Sequence, residues 1–115
     1  FDRDTDTGSL YWSGRIELAG EPAHLDLGED GSLWVAANPD TWAVLRNASA
    51  GTPAPTMILR IAAPVNGLVK PQPIYVNDGT GISVGSGGVA FRGRLTIGSF
   101  TDSKLLVCPL PGPAK

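Results

Sequence analysis

Cysteine, histidine and charge are all scarce in this chain. Among 115 residues there is one cysteine, one histidine and one methionine. A single cysteine excludes an internal disulfide framework, and no Cys/His spacing of the structural zinc type is present. A single histidine with no placed partner supports no Ser-His-Asp arrangement. Nine Lys+Arg stand against eleven Asp+Glu, for a net charge of -2. That balance offers no basic face to neutralise phosphates, so a nucleic-acid partner is not expected. No run approaches the roughly 18–20 apolar residues of a membrane span. No charged-then-apolar leader opens the sequence, so any such segment was removed or never present.

Glycine and proline are plentiful, with 15 and 10 copies. Both break helices, and glycine also permits tight turns. With 42% apolar and 17% charged residues the chain lacks the composition of a disordered segment. Its length suits one small domain. The triplet Asn47-Ala48-Ser49 fits the N-x-S/T glycosylation pattern. It lies in a stretch rich in Ala, Ser, Thr and Pro, which predicts an exposed loop carrying a glycan on Asn47.

The pattern along the chain is that of short strands. "SLYW", "RIEL", "AHLDL", "SLWVAA", "WAVLR", "MILRIA", "PIYV", "GVAF", "RLTIGSF" and "KLLVCPL" each read as one, and no amphipathic helix is expected. In "AHLDL", Ala23, Leu25 and Leu27 fall on one face, His24 and Asp26 on the other. "NDGTG" reads as a hairpin turn by its Asp-Gly step. "GSGG" is followed by a strand, which rejects a phosphate cradle, because that needs a helix N-terminus. The expected class is all-β.

A repeat refines this. "DGSLWVAANPDTWAVLR" and "RGRLTIGSFTDSKLLVC" share a pattern in which Gly31 matches Gly93, Leu33 matches Leu95, Val35 matches Ile97 and Ala36 matches Gly98. A short apolar strand precedes each copy. This is the layout of propeller blades, although the copies are further apart than the about 40–50 residues of one blade. A ring needs at least about four blades, and the chain holds material for about two, starting mid-blade. An isolated sector would leave apolar faces bare, at about 25 cal/mol per Å². Either the strands form a small sandwich, or the chain is one piece of a larger ring.

The collinear series "HLDLGEDGSLWVAANPD", "MILRI", "KPQPIYVNDGTGISVGSGGVAFRGRLTIGSF" and "KLLVCPL" resembles the C-terminal third of the paraoxonase/arylesterase family. Its most specific part runs from Val76 to Cys108. The resemblance implies a six-bladed, calcium-dependent β-propeller hydrolysing lactones and aryl esters at a metal in its tunnel. Residues 1–110 would then form the C-terminal blades and 111–115 a tail. The rest of the ring would come from a missing N-terminal part or a second chain. In that family the last strand carries a cysteine bonded to one near the N-terminus. Cys108 matches it, which implies a disulfide to a cysteine outside this chain and a secreted or otherwise oxidising setting. The plain alternative for Cys108 is a buried free thiol.

The family's Asp-Asn calcium pair is matched here by Ala23 and His24. Ala offers no ligand oxygen, and imidazole suits a hard cation poorly. The site is then lost, or binds another metal through His24, or shifts to use Asp26. The family's tunnel histidine is matched by Asn38, which hydrogen-bonds but cannot shuttle a proton. His24 and Asn38 are the catalytic candidates. Ser99, Phe100 and Trp42 are the candidates for a substrate-pocket wall, while Trp34 is expected to pack between sheets. The resemblance implies an ester or lactone substrate. The alternatives are a non-catalytic propeller that binds a small ligand or a protein, and a gluconolactonase-like or strictosidine-synthase-like propeller with different tunnel chemistry.

Overall fold

A computed structural model describes residues 1–63 and 69–112. The last three residues of the expected tail lie outside these. The chain is all-β, with nine strands and one helix among the described residues. A short hairpin, β1 (Asp2–Arg3) and β2 (Leu10–Tyr11), opens the chain. A four-stranded antiparallel meander follows: β3 (Glu21–Leu27), β4 (Leu33–Asn38), β5 (Thr56–Ile61) and β6 (Gln72–Asn77). A three-stranded meander closes it: β7 (Gly85–Phe91), β8 (Arg94–Ser99) and β9 (Leu106–Pro109). No helix among the described residues is long and apolar enough to cross a membrane.

Alternation along the strands decides what each sheet buries. On β4, Trp34 and Ala36 point one way, Val35 and Ala37 the other. Trp34, Ala36 and Ile58 of the first sheet pack with Leu95 and Ile97 of the second, and Ile82 completes this central cluster. Trp34 therefore sits between the sheets, as its sequence context predicts. Val35, Ala37, Met57, Leu59 and Ile61 line the far face of the first sheet, where Leu18 and Val69 pack against them. The matched positions Val35 and Ile97 thus belong to the same face of their respective sheets. The back of one sheet lies on the front of the next, and both sheets face the same way. Gly31 (φ 79°) and Gly93 (φ 74°) both take the left-handed conformation in the turns that lead into β4 and β8, the first turn spanning residues 28–32 and the second residues 92–93.

Glycine lets the second sheet come close. A Cβ on Gly88 would lie 2.7 Å from Cδ1 of Ile58, and one on Gly85 would lie 2.5 Å from Cγ2 of Thr56. The inner strand β7 can lie on the first sheet because those side chains are absent.

Three expectations are corrected. "WAVLR" is not a strand: helix α1 runs Thr41–Ala50. Asp40 caps it by accepting the Ala43 N–H at 3.0 Å, and Gly51 ends it in the left-handed conformation. Ala43 packs against Ala54 and Val84, and this tertiary contact holds a helix too short to persist alone. The chain around Arg15–Leu18 forms no strand. "NDGTG" is not a hairpin turn but the start of the crossover from the first sheet to the second, since β6 and β7 do not pair. Gly79 (φ 97°) lies so close to Ala54 that a Cβ would meet its backbone nitrogen.

Candidate functional site

Strand register defines two ends of the stacked sheets. At one end Glu21 pairs with Asn38, Thr56 with Asn77 and Gly85 with Ser99. At the other, Leu27 pairs with Leu33, Arg60 with Gln72 and Phe91 with Arg94. The sequence candidates His24, Asn38, Trp42, Ser99 and Phe100 lie toward the first end or on the inner strand that starts there. β3 and β7 run in the same direction, both beginning at this end.

Asn38 is the most developed of these residues. Only 7% of it is exposed. Its Nδ2 donates to the Gly85 carbonyl at 3.3 Å, and the Gly85 N–H donates to Thr56 Oγ1 at 3.0 Å. These bonds stitch the two sheets together. The Asn38 Oδ1 has no partner among the described residues. A buried amide oxygen left without a donor is costly, and such atoms commonly meet water or a ligand.

The others differ. His24 occupies a bulge in β3, where the register shifts between Pro22 and Leu25. Its Cβ is 3.5 Å from the position a Cβ on Gly87 would take, so it lies beside β7, and the residue is exposed. Asp26 pairs with Trp34 on the same sheet face and is also exposed. The hydroxyl of Ser99 is occupied: it donates to the Ser83 carbonyl and accepts the N–H groups of Asp102 (2.9 Å) and Thr101 (3.1 Å). Its role is to fold the loop after β8. Phe100 and Trp42 are largely exposed, Trp42 in the first turn of α1.

Asn47 does not lie in the expected exposed loop. It is buried in the last turns of α1, and its Nδ2, the atom a glycan would join, donates to the Thr52 carbonyl at 2.7 Å. In the folded chain this amide is buried and bonded, with no open face for a glycan. Cys108 pairs with Leu95 in the edge strand β9 and is a half-buried free thiol within this chain.

A calcium ion takes about six to eight oxygen ligands. This end offers the unpartnered Oδ1 of Asn38, while the exposed Asp26 carboxylate lies near the opposite end, paired with Trp34 beside the Leu27–Leu33 pair. No group of three or more His, Cys, Asp or Glu converges among the described residues. The donor set of this chain therefore does not fit a calcium site by itself.

Sequence reading missed Thr56 and Ser83, both buried and both joining the sheets or loops. Ser83 Oγ donates to the Gly79 carbonyl at 2.7 Å and accepts the Ala54 N–H at 3.2 Å, and its own N–H goes to Asp102. The signal for Thr56 was present: a lone hydroxyl opening the run "TMILRI", which is otherwise apolar except for Arg60. Also missed was a cleft of about 850 Å³ at the opposite end, between the Gly28–Asp30 and Phe91–Gly93 turns.

No protein-family model matches the chain, and a search of curated proteins finds no similar sequence.

Proposed function

We propose that this chain is the C-terminal part of a paraoxonase-like β-propeller hydrolysing lactones or esters, with the rest of the ring supplied by another stretch of polypeptide. The observation that carries this reading is the repeated, same-sense stacking of the two meanders, with parallel inner strands β3 and β7. That geometry continues around a ring and does not close a two-sheet sandwich. Two further features support it. The first sheet has four strands and the second only three, so β9 keeps an unpaired edge. The outward faces carry exposed apolar side chains, Leu25 and Leu27 on β3 and Val107 on β9.

In this reading β3 and β7 line the tunnel. The Oδ1 of Asn38 accepts a hydrogen bond from a substrate hydroxyl or from the attacking water. His24, the one imidazole in the chain, is the candidate base for that water. The calcium that the resemblance implies would take its ligands from the remainder of the ring. Cys108, on the open edge strand, would join a cysteine of that remainder. Such a bond closes a very long loop and contributes roughly 4–5 kcal/mol in the chain-entropy model.

The test has two parts. Mass spectrometry of purified material, reduced and unreduced, should release a companion polypeptide only with reductant. Lactone hydrolysis by the intact assembly should be abolished by a chelator and lowered by His24→Ala and Asn38→Ala. A free Cys108 in a monomeric chain of 115 residues would overturn the ring. The Ala23-His24 pair, standing where the family carries its ligand pair, favours a second reading: a propeller that binds but does not catalyse. A companion chain without hydrolysis would select it.

A further inference from the structure

The cleft at the turn end lies away from His24 and Asn38, and the function proposed above makes no use of it. Its volume of about 850 Å³ is within the range of small-molecule pockets, about 300–1,000 Å³. The apolar wall comes from Trp34, Ile74, Ala90, Phe91 and Leu110. Three observations give the cleft a chemical preference.

The first is a buried donor with nothing to bond. Trp34 is 4% exposed, and its Nε1–H has no partner among the described residues. It sits against Gly28, also on the cleft wall, where a Cβ would approach Nε1 to 2.7 Å. An indole N–H is a donor only, so what satisfies it must be an acceptor.

The second is the state of the charged groups. Asp30 is fully engaged: Oδ1 accepts from the Ser32 N–H and hydroxyl, and Oδ2 is 2.7 Å from Arg60. Arg60 is correspondingly neutralised. Arg92 forms no ion pair among the described residues; its guanidinium lies 5.0 Å from the centroid of the Phe91 ring. The opposing charge is Glu29, whose Oε2 accepts the Arg92 backbone N–H at 3.2 Å.

The third is where Arg92 is held. It has φ 48°, in a two-residue turn with Gly93. Asn, Asp or Gly suits that position better than Arg. The turn keeps a long cationic side chain at the mouth of an apolar cleft although its backbone disfavours it.

We propose that this cleft is a binding site for an organic carboxylate with an apolar chain. The chain lies along Ile74, Phe91 and Leu110, and the carboxylate takes hydrogen bonds from Arg92 and from the Trp34 indole. Glu29 opposes the ligand charge and weakens the site.

The test uses the intact assembly labelled with ¹⁵N-tryptophan and titrated, below micelle formation, with decanoate, decanol and decyltrimethylammonium. The Trp34 indole signal should move with decanoate, while Trp12 and Trp42, both largely exposed and away from the cleft, should stay still. Arg92→Asn suits the turn, so it keeps the fold. It should weaken decanoate binding about tenfold, the worth of one charge-assisted contact. Glu29→Gln should strengthen it. A stationary Trp34 signal, equal binding of the three amphiphiles, or no effect of Arg92→Asn would each overturn the proposal.

Discussion

The two sheets grow from one repeated pattern, yet they use it differently. In the first sheet the inner strand β3 is "EPAHLDL": it has a proline at its second position, bulges at His24 and is exposed throughout. In the second, β7 is "GSGGVAF": it has three glycines in its first four residues and is pressed onto the first sheet. Leu25 pairs with Val35 and shares its face, but Leu25 is 56% exposed while Val35 is fully buried. Leu95 and Ile97, with the same alternation, are buried too. Periodicity therefore tells which face a side chain joins. Whether that face is covered depends on what lies against it.

The largest effect should come from the residue both sheets share. Ile58 is fully buried and touches the space above Gly88. Ile58→Ala should cost about 2–5 kcal/mol, through lost burial and the cavity left behind. Chemical denaturation measures it, and the two sheets should melt in one transition. Two separate transitions would show that the sheets are independent units.

Thr56→Val is a finer cut. It leaves the shape nearly unchanged but strips the Gly85 N–H of its acceptor, at a cost of about 1–3 kcal/mol. Hydrogen exchange should accelerate at the start of β7 more than in β4 or β5. Equal acceleration in both sheets would mean that this bond does not tie the second to the first.

Asp40→Ala touches only the connection between β4 and β5. Removing the cap from α1 should cost about 1 kcal/mol and fray the first turn without disturbing the second sheet. Circular dichroism and thermal melting would read both.

The smallest effect separates the two hairpin turns. The Ser32 hydroxyl and Arg60 both donate to the Asp30 carboxylate and hold its carboxyl well below the ordinary value of 3.8. A carboxyl depressed on folding adds stability above its unfolded pKa, and that stability is lost as pH falls. As pH falls below about 4 that stability is progressively lost, and the first turn should loosen more than the Arg92-Gly93 turn, whose own carboxylate contact is the single exposed bond from the Arg92 N–H to Glu29. Asp30→Asn should remove most of this difference, which amide shifts across an acid titration would record.

Much of the fold was legible because strands announce themselves locally. The apolar alternation of "SLWVAA", "MILRIA" and "RLTIGSF", and the turn glycines Gly31 and Gly93, appear in the structure where the pattern puts them. The helix was not, although Asp40 and Gly51 are sound start and stop signals. "WAVLR" is equally apolar in either conformation, and the packing of Ala43 on Ala54 and Val84 settles it. The site was less legible still. Asn38 could be singled out, but its bond to Gly85 joins residues far apart in the chain. The hydroxyl of Ser99 looked free for a ligand, and the loop beside it consumes it.

The amino-acid order alone settled the class, the turn glycines Gly31 and Gly93 and the alternation of faces, because these follow from backbone geometry and neighbours within a few residues. The stacking of one sheet's back on the next sheet's front, the burial of Asn38 and Asn47, and the cleft beside Trp34 were decided only when distant strands met. Each depends on which surface ends against which, and no local periodicity carries that information.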